Sequence, residues 1–458
     1  MFSKDTYVAR RAKLKQTVGS GLLLFLGNDE SGMNFADNTY NFRQDSSFLY
    51  FFGLPYADLA AVIDIDNDRE IIFGDELTID AIVWMGTQPT LREKSQAAGI
   101  TEVRPYKEIE TYLKKAQQQG QPIHYLPTYR AEHQIKLFNW QGVLPGAEKP
   151  SVPFIMGVVD QRNHKTAEEI VEIEKACVVT ADMHLAAMRT IRPGITESDI
   201  AAVVAEVAIS HNYELSFPTI ATINGQTLHN HIHCNPIKSG DMLLLDAGAE
   251  TEMGYAGDMS STRPADKKCT QRQRDVYDIQ VAAHEAAVAA LRPGIKFVDV
   301  YEKSCAVIWE GMKDLGFAKG DAMDAVKAGA HAMFMPCGLG HMMGLDVHDM
   351  ESLGESYVGY GGQPKSTQFG RKSLRLGREL EPGFVLTIEP GVYFIPELMD
   401  LWRSENKFTD FLNYDKLETY KDFSGIRNEE DYLITEDGAR VLGKKLPLHA
   451  DEVENEHC

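Results

Sequence analysis

The sequence predicts an α/β protein with an N-terminal α/β domain, residues 1–160, and a C-terminal α+β domain, residues 161–458, that contains an internal duplication. Three observations support this prediction. Strand-like and helix-like segments alternate in the first half, Pro, Gly and Asn cluster at residues 144–166, and two short motifs each occur twice in the second half. The chain length of 458 residues is compatible with two or three domains.

The elements of the first half follow from short apolar runs. GLLLFLG, LAAVIDID and EIIFGD indicate strands, and residues 107–118 carry a helical pattern. The cluster at 144–166 marks a domain boundary near residue 160. A helix follows the boundary; it begins at Thr166, which can form a capping box with Glu169, and runs to about Ile191.

Two motifs of the second half recur in the same order. RPGITESDIAAVV and RPGIKFVDVYEKS each open a helix-like segment, and GDMLLLDAG and GFVLTIEPG follow them. In the second pair an apolar strand ends in an acid six residues after a glycine: Asp246 after Gly240, and Glu389 after Gly383. Either motif alone is compatible with chance, but the repeated order indicates a duplicated unit. A pseudo-twofold arrangement would bring Asp246 and Glu389 to one central site.

The apolar run 242–245 ends in Asp246, and Asp258 follows twelve residues later. A hairpin with its turn near Glu252 would place the two aspartates directly opposite each other, with Cβ atoms roughly 5 Å apart. Two carboxylates at that separation repel, so that one would be protonated or a cation would lie between them. The alternatives are that either aspartate caps a turn, or that a bulge changes the register.

Three further segments carry candidate ligands. CGLGHMMGLDVHDM places His341 and His348 seven residues apart, and GIRNEEDYLIT places Glu429 and Glu430 before a strand-like run. In an alternating strand only one of these two glutamates can face the core. Alternating histidines occur in LHNHIHCNP: His229, His231 and His233. The last pattern is a weak metal signal, because exposed histidines produce it equally well.

Taken in order, DAG…GYAGD, GLGHMMGLDVHD, TIEPGVYF and GIRNEEDYLIT resemble the motifs of the pita-bread metallopeptidases, in the branch of Xaa-Pro aminopeptidase and prolidase (Xaa-Pro dipeptidase). They cover most of residues 165–440, and YNFRQDSSFLYFFGL at 40–54 resembles the N-terminal domain of that branch. The resemblance implies an aminopeptidase-P-like domain at 1–160 and a pseudo-twofold pita-bread catalytic domain at 161–458. The implied activity is a dinuclear metal-dependent exopeptidase that hydrolyses the Xaa-Pro bond at the N-terminus of peptides or in Xaa-Pro dipeptides.

The same resemblance implies the ligands of two divalent metal ions: Asp246, Asp258, His341, Glu389 and Glu429. Asp258 and Glu429 would bridge the two ions. Two divalent cations would cancel the charge of the four carboxylates, which would otherwise be strongly destabilising together. A carboxylate-rich set with one imidazole suits Mn²⁺ first, then Co²⁺ or Zn²⁺.

Positions that match the family motifs also imply catalytic and substrate-binding roles. Glu389 would act as general base, His348 would stabilise the oxyanion, and His229 would contact the substrate near the scissile bond. Arg375 would bind the carboxylate of a short substrate through a bidentate contact, with a surface charge as the alternative. Arg427 would hold a bridging carboxylate or His348 in place.

The chain departs from the family pattern at three places. The two aspartates are twelve residues apart instead of eleven, which we expect to lengthen the turn between them. Cys337 occupies the position four residues before His341, where a substrate-contacting histidine is common, and a thiol supplies no cationic donor. Arg263 occupies a position where an aromatic residue is more usual.

Composition restricts the partners. The formal charge of −21 argues against nucleic acid and anionic membranes, and no run of eighteen apolar residues predicts a membrane span. Six scattered cysteines without a CxxC pair and an N-terminus without an apolar signal core favour a cytoplasmic location. The expected partners are peptides with proline at the second position and further copies in a homodimer or homotetramer. Trp84 would reach a neighbouring subunit's site or pack in the core.

Two other function classes are less well supported. A creatinase-type enzyme on this fold lacks the full metal set, and a non-catalytic pita-bread protein-binding module typically loses ligands, whereas this chain keeps all five positions. The acidic net charge also argues against a histone-binding module. Within the exopeptidases, Arg375 and the insert 396–424 favour a dipeptidase, whereas the start of the chain favours an aminopeptidase.

Overall fold

The computed structural model describes residues 1–456, which form two compact units. Unit 1 comprises Met1–Arg162 together with Met350–Tyr357, and unit 2 begins at Asn163 and contains the remaining described residues. Residues 457–458, which the sequence analysis includes in the second domain, lie outside the described part.

Unit 1 is built on a five-stranded sheet. Its strands are β1 (Leu22–Leu26), β2 (Ala60–Asp64), β3 (Arg69–Phe73), β4 (Glu102–Arg104) and β5 (Ile123–Tyr125). The helices of the first 163 residues are α1 (Lys4–Val18), α2 (Ser46–Phe52), α3 (Ile79–Met85), α4 (Leu91–Ala97), α5 (Glu108–Gln118), α6 (Ala131–Gln141) and α7 (Val152–Asn163). The strand order is β4-β3-β2-β1-β5, with antiparallel pairs inside and parallel pairs at the edges. The three strands and the helix predicted for this half are confirmed.

The uninterrupted apolar sequence of β1 has a structural cause, because helices cover both faces of the strand. Leu24 belongs to a core cluster with Leu113 of α5 on one face. Phe25 points to the other face, where its ring lies 4.9 Å from that of Phe52 and 5.0 Å from that of Phe154. A strand buried on both faces carries a continuous apolar run instead of an alternating one.

Unit 2 contains four small sheets. Its strands are β6 (Glu214–Leu215), β7 (Ile220–Thr222), β8 (Met242–Ala247), β9 (Ala249–Glu250), β10 (Met259–Pro264), β11 (Val385–Ile388), β12 (Gly391–Tyr393), β13 (Gly425–Arg427), β14 (Glu430–Ile434) and β15 (Ala439–Val441). The helices after α7 are α8 (Ala167–Thr190), α9 (Glu197–Ser210), α10 (Gln271–Val288), α11 (Phe297–Asp314), α12 (Ala322–Ala328), α13 (Glu355–Tyr360), α14 (Pro396–Ser404), α15 (Tyr414–Glu418) and α16 (Ala450–Asn455). The strands pair as β10-β8-β7, β11-β14-β15, β12-β13 and β6-β9.

The first helix after α7 begins at Ala167, one residue after the predicted start, because Thr166 is its N-cap and has an extended backbone. The Thr166 side chain accepts from the Glu169 N–H, and the Glu169 carboxylate accepts from the Thr166 N–H at 3.0 Å, which is a capping box. The helix ends at Thr190, one residue before the predicted end, because Ile191 leaves the helical conformation.

The duplication predicted from the two repeated motifs is visible in the backbone. Gly240 and Gly383, each six residues before a strand-end acid, take φ angles of 92° and 90°. A backbone hydrogen bond is also repeated. In each half the glycine of the RPGI motif bonds a carbonyl that lies three residues before Gly240 or Gly383. The N–H of Gly194 donates to Ile237 O at 2.9 Å, and the N–H of Gly294 donates to Leu380 O at 2.9 Å. Equivalent residues of the two motifs therefore make equivalent backbone contacts.

The exposure of Trp84 answers one question that the sequence left open. The side chain lies on α3, where no residue is buried, and it is 87% exposed. The alternative that Trp84 packs in the core is therefore wrong for the described chain.

Among residues 1–456 no helix is both long enough and apolar enough to cross a membrane. The five cysteines in this part of the chain are unpaired: Cys177, Cys234, Cys269, Cys305 and Cys337.

Candidate metal centre

The ends of strands from the two halves of unit 2 carry the predicted ligands to one place. Asp246 lies near the end of β8, and Asp258 immediately precedes its partner β10. Glu389 immediately follows β11, and Glu429 immediately precedes its partner β14. His341 lies in a loop beside β11, where the His341 carbonyl accepts from the Thr387 N–H at 3.0 Å. Each half therefore contributes two acids from one antiparallel pair of strands.

Three of the predicted ligands form a compact buried group. Donor atoms of Asp258, His341 and Glu429 all lie within 4.8 Å of one another. His341 Nε2 is 3.3 Å from Asp258 Oδ2 and 3.8 Å from Glu389 Oε1. His341 Nδ1 lies 3.1 Å from Met342 O, and since a carbonyl only accepts, a proton on Nδ1 completes this hydrogen bond. The neutral tautomer with that proton offers the Nε2 lone pair to a ligand.

A cavity of about 470 Å³ contains these groups in its wall. The remaining predicted ligands and substrate-side residues also line it, together with His231: Asp246, Glu389, His229, His231, His348, Arg375, Cys337 and Arg427. An apolar part of the wall is formed by Phe217, Pro218 and Leu228. The structure thus brings every predicted ligand and substrate-side residue to one cavity of a size suited to a small ligand.

The pairing of β8 with β10 differs from the predicted register. Ser260, and not Asp258, lies opposite Asp246. The turn spans residues 251–255, and its Gly254 takes φ 83°, a left-handed conformation that glycine adopts without strain. The turn is therefore centred one residue later than predicted, and the register shifts by two. Because side chains alternate with a period of two, Asp258 still shares a face with Asp246, on a diagonal instead of directly opposite.

Burial and like charge act together on the carboxylates. Burial, and then the neighbouring Asp246, raises the pKa of Asp258 well above its usual value. Burial and then Asp258 raises the pKa of Glu429 well above its usual value, and burial raises the pKa of Glu389. Oδ1 of Asp246 and Oδ1 of Asp258 are buried without a hydrogen-bond partner among the described residues. These unsatisfied oxygens, a lone-pair nitrogen and the excess negative charge fit divalent cations.

Arg427 is the cation that faces this group of acids. Its Nη2 donates to Asp246 Oδ2, its Nε donates to Ser260 Oγ at 2.8 Å, and its Nη1 donates to Tyr393 Oη at 3.0 Å. Ser260 Oγ in turn donates to Glu429 Oε2 at 2.7 Å. The direct carboxylate partner of Arg427 is therefore Asp246, and its link to Glu429 runs through a serine. The sequence analysis missed Ser260, although its position two residues after Asp258 places it on the same face of the strand.

Both glutamates of the pair 429–430 are buried, which corrects the expectation that only one could face the core. Glu430 points to the opposite face of β14, where its Oε2 accepts from the Tyr432 hydroxyl at 2.7 Å. That face is also covered, since Nε2 of His284 in α10 lies 3.9 Å from Glu430 Oε2.

Asp431, on the same face as Glu429, was not singled out from the sequence. Its Oδ2 accepts from the Asp258 N–H at 3.1 Å, so it holds the backbone of a predicted ligand.

The cavity histidines come from two loops. The His348 ring lies 4.3 Å from the His341 ring at an angle of 66°. The residue after it, Asp349, forms a buried ion pair with Lys165 at 2.8 Å, which anchors this loop. In the other loop the rings of His229 and His231 stack at 6.4 Å. The third histidine of the alternating run, His233, does not line the cavity; its Nε2 lies 2.9 Å from Thr219 O.

Two of the departures from the family pattern have clear environments. Cys337 packs against an apolar group that includes Ile220, Leu244 and Tyr393. Burial, and then Glu389, raises the pKa of its thiol to about 12, so the side chain is neutral near pH 7. Arg263 does not line the cavity; it is buried and donates from Nη2 to Pro447 O at 2.9 Å.

Comparisons with known proteins match both parts of the chain. The family model described as "Metallopeptidase family M24" matches residues 171–436, and "Aminopeptidase P, N-terminal domain" matches residues 7–124. The chain is 27% identical to the human Xaa-Pro dipeptidase, over 98% of this chain and 91% of the relative. It is 28% identical to the Xaa-Pro aminopeptidase of Escherichia coli K12, over 99% and 97% of the two chains.

Solved structures give the same result for the fold. The zinc-substituted E. coli aminopeptidase P in complex with product has a TM-score of 0.80 at 28% identity, with 99% of this chain and 98% of that chain covered. Proline aminopeptidase P II from Yersinia pestis has a TM-score of 0.81 at 27% identity, with 99% of both chains covered. Both the N-terminal α/β part and the duplicated pita-bread part are therefore confirmed.

The first prediction concerns metal binding by Asp258. Mn²⁺ should raise the melting temperature of the wild type, because an ion bound only by the folded state adds about 4 kcal/mol at 1,000 times its Kd. Asp258→Asn should lose both this rise and the bound metal measured by elemental analysis. Asp437→Asn, an exposed aspartate after β14, is the matched control and should behave as the wild type. An unchanged Mn²⁺ response in Asp258→Asn would contradict the proposed ligand set.

The second prediction concerns pH in the metal-free protein. Folded Asp258 and Glu429 hold protons more tightly than the unfolded chain, whose carboxyl pKa values lie near about 4. Unfolding therefore releases protons above about pH 4, so this cluster's contribution to stability falls as pH rises towards the raised folded pKa. The melting temperature without metal should fall between about pH 5.5 and 8, and less steeply in Asp258→Asn. Equal slopes for the wild type and Asp258→Asn would show that this carboxylate is not perturbed.

Proposed function

The chain belongs to metallopeptidase family M24, and we propose that it is a dinuclear metal-dependent exopeptidase that hydrolyses the Xaa-Pro bond of peptides or of Xaa-Pro dipeptides. The observation that carries the proposal is the buried group of Asp258, His341 and Glu429, whose donor atoms lie within 4.8 Å at the wall of a cavity. Relatives that match nearly the whole chain bear the names Xaa-Pro dipeptidase and Xaa-Pro aminopeptidase.

We assign the metal ligands as the five predicted residues: Asp246, Asp258, His341, Glu389 and Glu429. These residues would hold two divalent ions, with Asp258 and Glu429 shared by both, and the carboxylate-rich donor set favours Mn²⁺, then Co²⁺ or Zn²⁺. Bound ions would supply charge neutralisation of the carboxylates and Lewis-acid activation of water and of the scissile carbonyl. The partnerless Oδ1 atoms of Asp246 and Asp258 support this assignment, because a buried carboxylate oxygen without a partner is costly.

The remaining groups of the cavity would orient the peptide and move its protons. Glu389, which lines the cavity beside His341, would accept a proton from the attacking water and return it to the leaving proline nitrogen. His348 would donate to the carbonyl oxygen as negative charge develops on it. His229 would contact the substrate beside the scissile bond. Burial, and then Arg427, lowers the pKa of His229, which favours its neutral form.

Arg375 would distinguish substrates by length. It lines the same cavity as the ligands, and a guanidinium can hold a carboxylate through two hydrogen bonds. In a dipeptide the C-terminal carboxylate lies one residue from the scissile bond, whereas in a longer peptide it lies farther out. We therefore propose a dipeptidase preference. A non-catalytic binding module is not proposed, because the five ligand positions are kept and line one cavity.

The cellular setting stays at the level of proposal. We propose a cytoplasmic protein that forms a homodimer or homotetramer, in which the exposed Trp84 reaches a neighbouring subunit's site. Peptides with proline at the second position are the proposed partners. The net charge of −21 supports the exclusion of nucleic acid and anionic membranes.

The third prediction separates catalysis from metal binding at His348. His348→Ala should keep both metals and lower kcat for a Xaa-Pro substrate by roughly 10²–10³-fold, if the side chain stabilises the oxyanion. Steady-state kinetics and elemental analysis measure the two effects. His211→Ala removes an exposed histidine and serves as the control. If His348→Ala loses metal instead, the residue is a ligand and the role of His341 needs reassignment.

The fourth prediction tests the dipeptidase preference. Arg375→Ala should raise KM for Ala-Pro and spare Ala-Pro-Ala, because only the dipeptide places its carboxylate at this guanidinium. The loss of a charge-assisted contact should cost about 1.5–3 kcal/mol, or roughly 10–150-fold in kcat/KM. Lys372→Ala removes an exposed cation of the same segment and controls for net charge. Equal effects of Arg375→Ala on both peptides would favour the aminopeptidase function.

A further inference from the structure

The loop of residues 223–235, which we call the histidine loop, forms part of the cavity wall. It contributes Leu228, His229 and His231 to that wall. Its two ends meet at one buried carboxylate, since Glu197 Oε1 accepts from the N–H of Ile223 at 2.9 Å and Glu197 Oε2 accepts from the N–H of Asn235 at 3.0 Å. Glu197 is fully buried at the start of α9. The loop is therefore closed at its base, but this contact does not determine how it lies against the rest of the cavity.

A second contact connects the histidine loop to the strand that carries Arg427. The hydroxyl of Ser424, the residue before β13, donates to Ile223 O at 2.9 Å and accepts from the Gly225 N–H at 2.7 Å. The backbones approach closely here, because a Cβ on Gly225 would lie 2.6 Å from Gly425 O. The hydroxyl of Ser424 therefore bonds the two backbone groups on either side of Asn224, at the point where the loop leaves β7.

Ser424 makes this contact from a strained backbone. Its φ of 87° lies in the left-handed region, which non-glycine residues adopt at a cost. Gly would accept this conformation without a Cβ penalty, but it has no hydroxyl. The residue that follows β12 also contacts Ser424, since the Phe394 N–H donates to Ser424 O at 3.0 Å. Backbone strain of this kind clusters at active sites and ligand-binding segments.

We propose that Ser424 is a positioning residue that holds the histidine loop on β13, and thereby places His229 relative to the metal ligands. Three residues after Ser424 lies Arg427, which bonds Asp246 directly and Glu429 through Ser260. The strand that orients the acids thus also fixes the loop that presents the substrate-side histidine. The inference rests on the proposed function for its effect on catalysis, but not for its effect on the loop.

The decisive comparison is Ser424→Gly against Ser424→Ala. Both lack the hydroxyl, but only Ala keeps the Cβ in the left-handed conformation, so Ser424→Gly should have the higher melting temperature. If the hydroxyl positions His229, both variants should lose kcat/KM to a similar extent, roughly 10-fold, despite their different stabilities. Activity that follows the melting temperature, or equals that of the wild type in both variants, would overturn the proposal.

A double-mutant cycle tests whether the effect passes through His229. In a His229→Ala background, Ser424→Ala should cost less than about 2-fold in kcat/KM, because the residue that it positions is gone. A further loss of roughly 10-fold in that background would show independent roles and overturn the proposal. Ser304→Ala removes another buried hydroxyl of unit 2, bonded to the carbonyl of Ala283, and should leave kcat/KM unchanged.

Hydrogen exchange gives a readout that does not depend on peptidase activity. Amides of residues 226–233 should exchange faster in Ser424→Gly and Ser424→Ala than in the wild type and in Ser304→Ala. Unchanged exchange in both Ser424 variants would overturn the proposal even for an active enzyme. A wild type that cleaves no Xaa-Pro peptide but shows the expected exchange would refute the proposed function and leave the loop contact supported.

Discussion

The crowding of four carboxylates around one imidazole, with Asp258 and Glu429 buried and Asp246 and Glu389 half-buried, is the constraint on which unit 2 depends. Removal of a carboxylate from water is expensive, and the cost rises when like charges lie together. Burial raises the pKa of three of these acids, Asp258, Glu389 and Glu429. Two guanidinium groups, those of Arg427 and Arg375, line the same cavity, so four ionised carboxylates still leave an excess of negative charge. The cluster is stable only when protons or divalent cations neutralise it. By itself it would destabilise the fold, so its arrangement suits a metal centre better than a purely structural role.

The duplicated architecture supplies the rigidity that such a cluster requires. Each half presents an acid at the end of one strand and an acid at the start of its antiparallel partner. Contacts across the halves then fix their relative position: the Glu429 N–H donates to Ser260 O at 2.9 Å, and Asp431 accepts from the Asp258 N–H at 3.1 Å. Backbone hydrogen bonds and buried side chains therefore hold the two proposed bridging carboxylates together, independently of any ligand.

Local rules were sufficient for much of the fold, and long-range pairing was not. The apolar runs located three strands of unit 1, and the Thr166–Glu169 spacing located the N-cap of α8. The register of β8 and β10 was wrong because one left-handed glycine, Gly254, moved the turn by a residue. The burial of Glu430 was not predicted, because the alternation of side chains along a strand predicts which face each one is on. It does not reveal that both faces of β14 are covered. The first error concerns the geometry of one turn, and the second concerns a neighbour that is distant in sequence, His284 of α10.

The same division applies to the site. Ligand types and their order can be recognised from motifs, and all of them line one cavity. The residues that hold the ligands carry no such signal, because serine at 260, serine at 424 and tyrosine at 393 are common in any sequence. Their roles depend on which hydrogen bond each completes in three dimensions: Ser260 joins Arg427 to Glu429, and Tyr393 accepts from Arg427.

The neutral thiol of Cys337 affects the distribution of charge around the cavity. With a neutral thiol at Cys337, the position where the family commonly has a histidine contributes no positive charge to the substrate side. Burial also favours the neutral form of His229, and Arg427 is engaged by Asp246. Among the cavity-lining side chains Arg375 is the second guanidinium, and it lies in the same wall as the proposed ligands. We therefore expect recognition of a substrate carboxylate in this cavity to depend on Arg375.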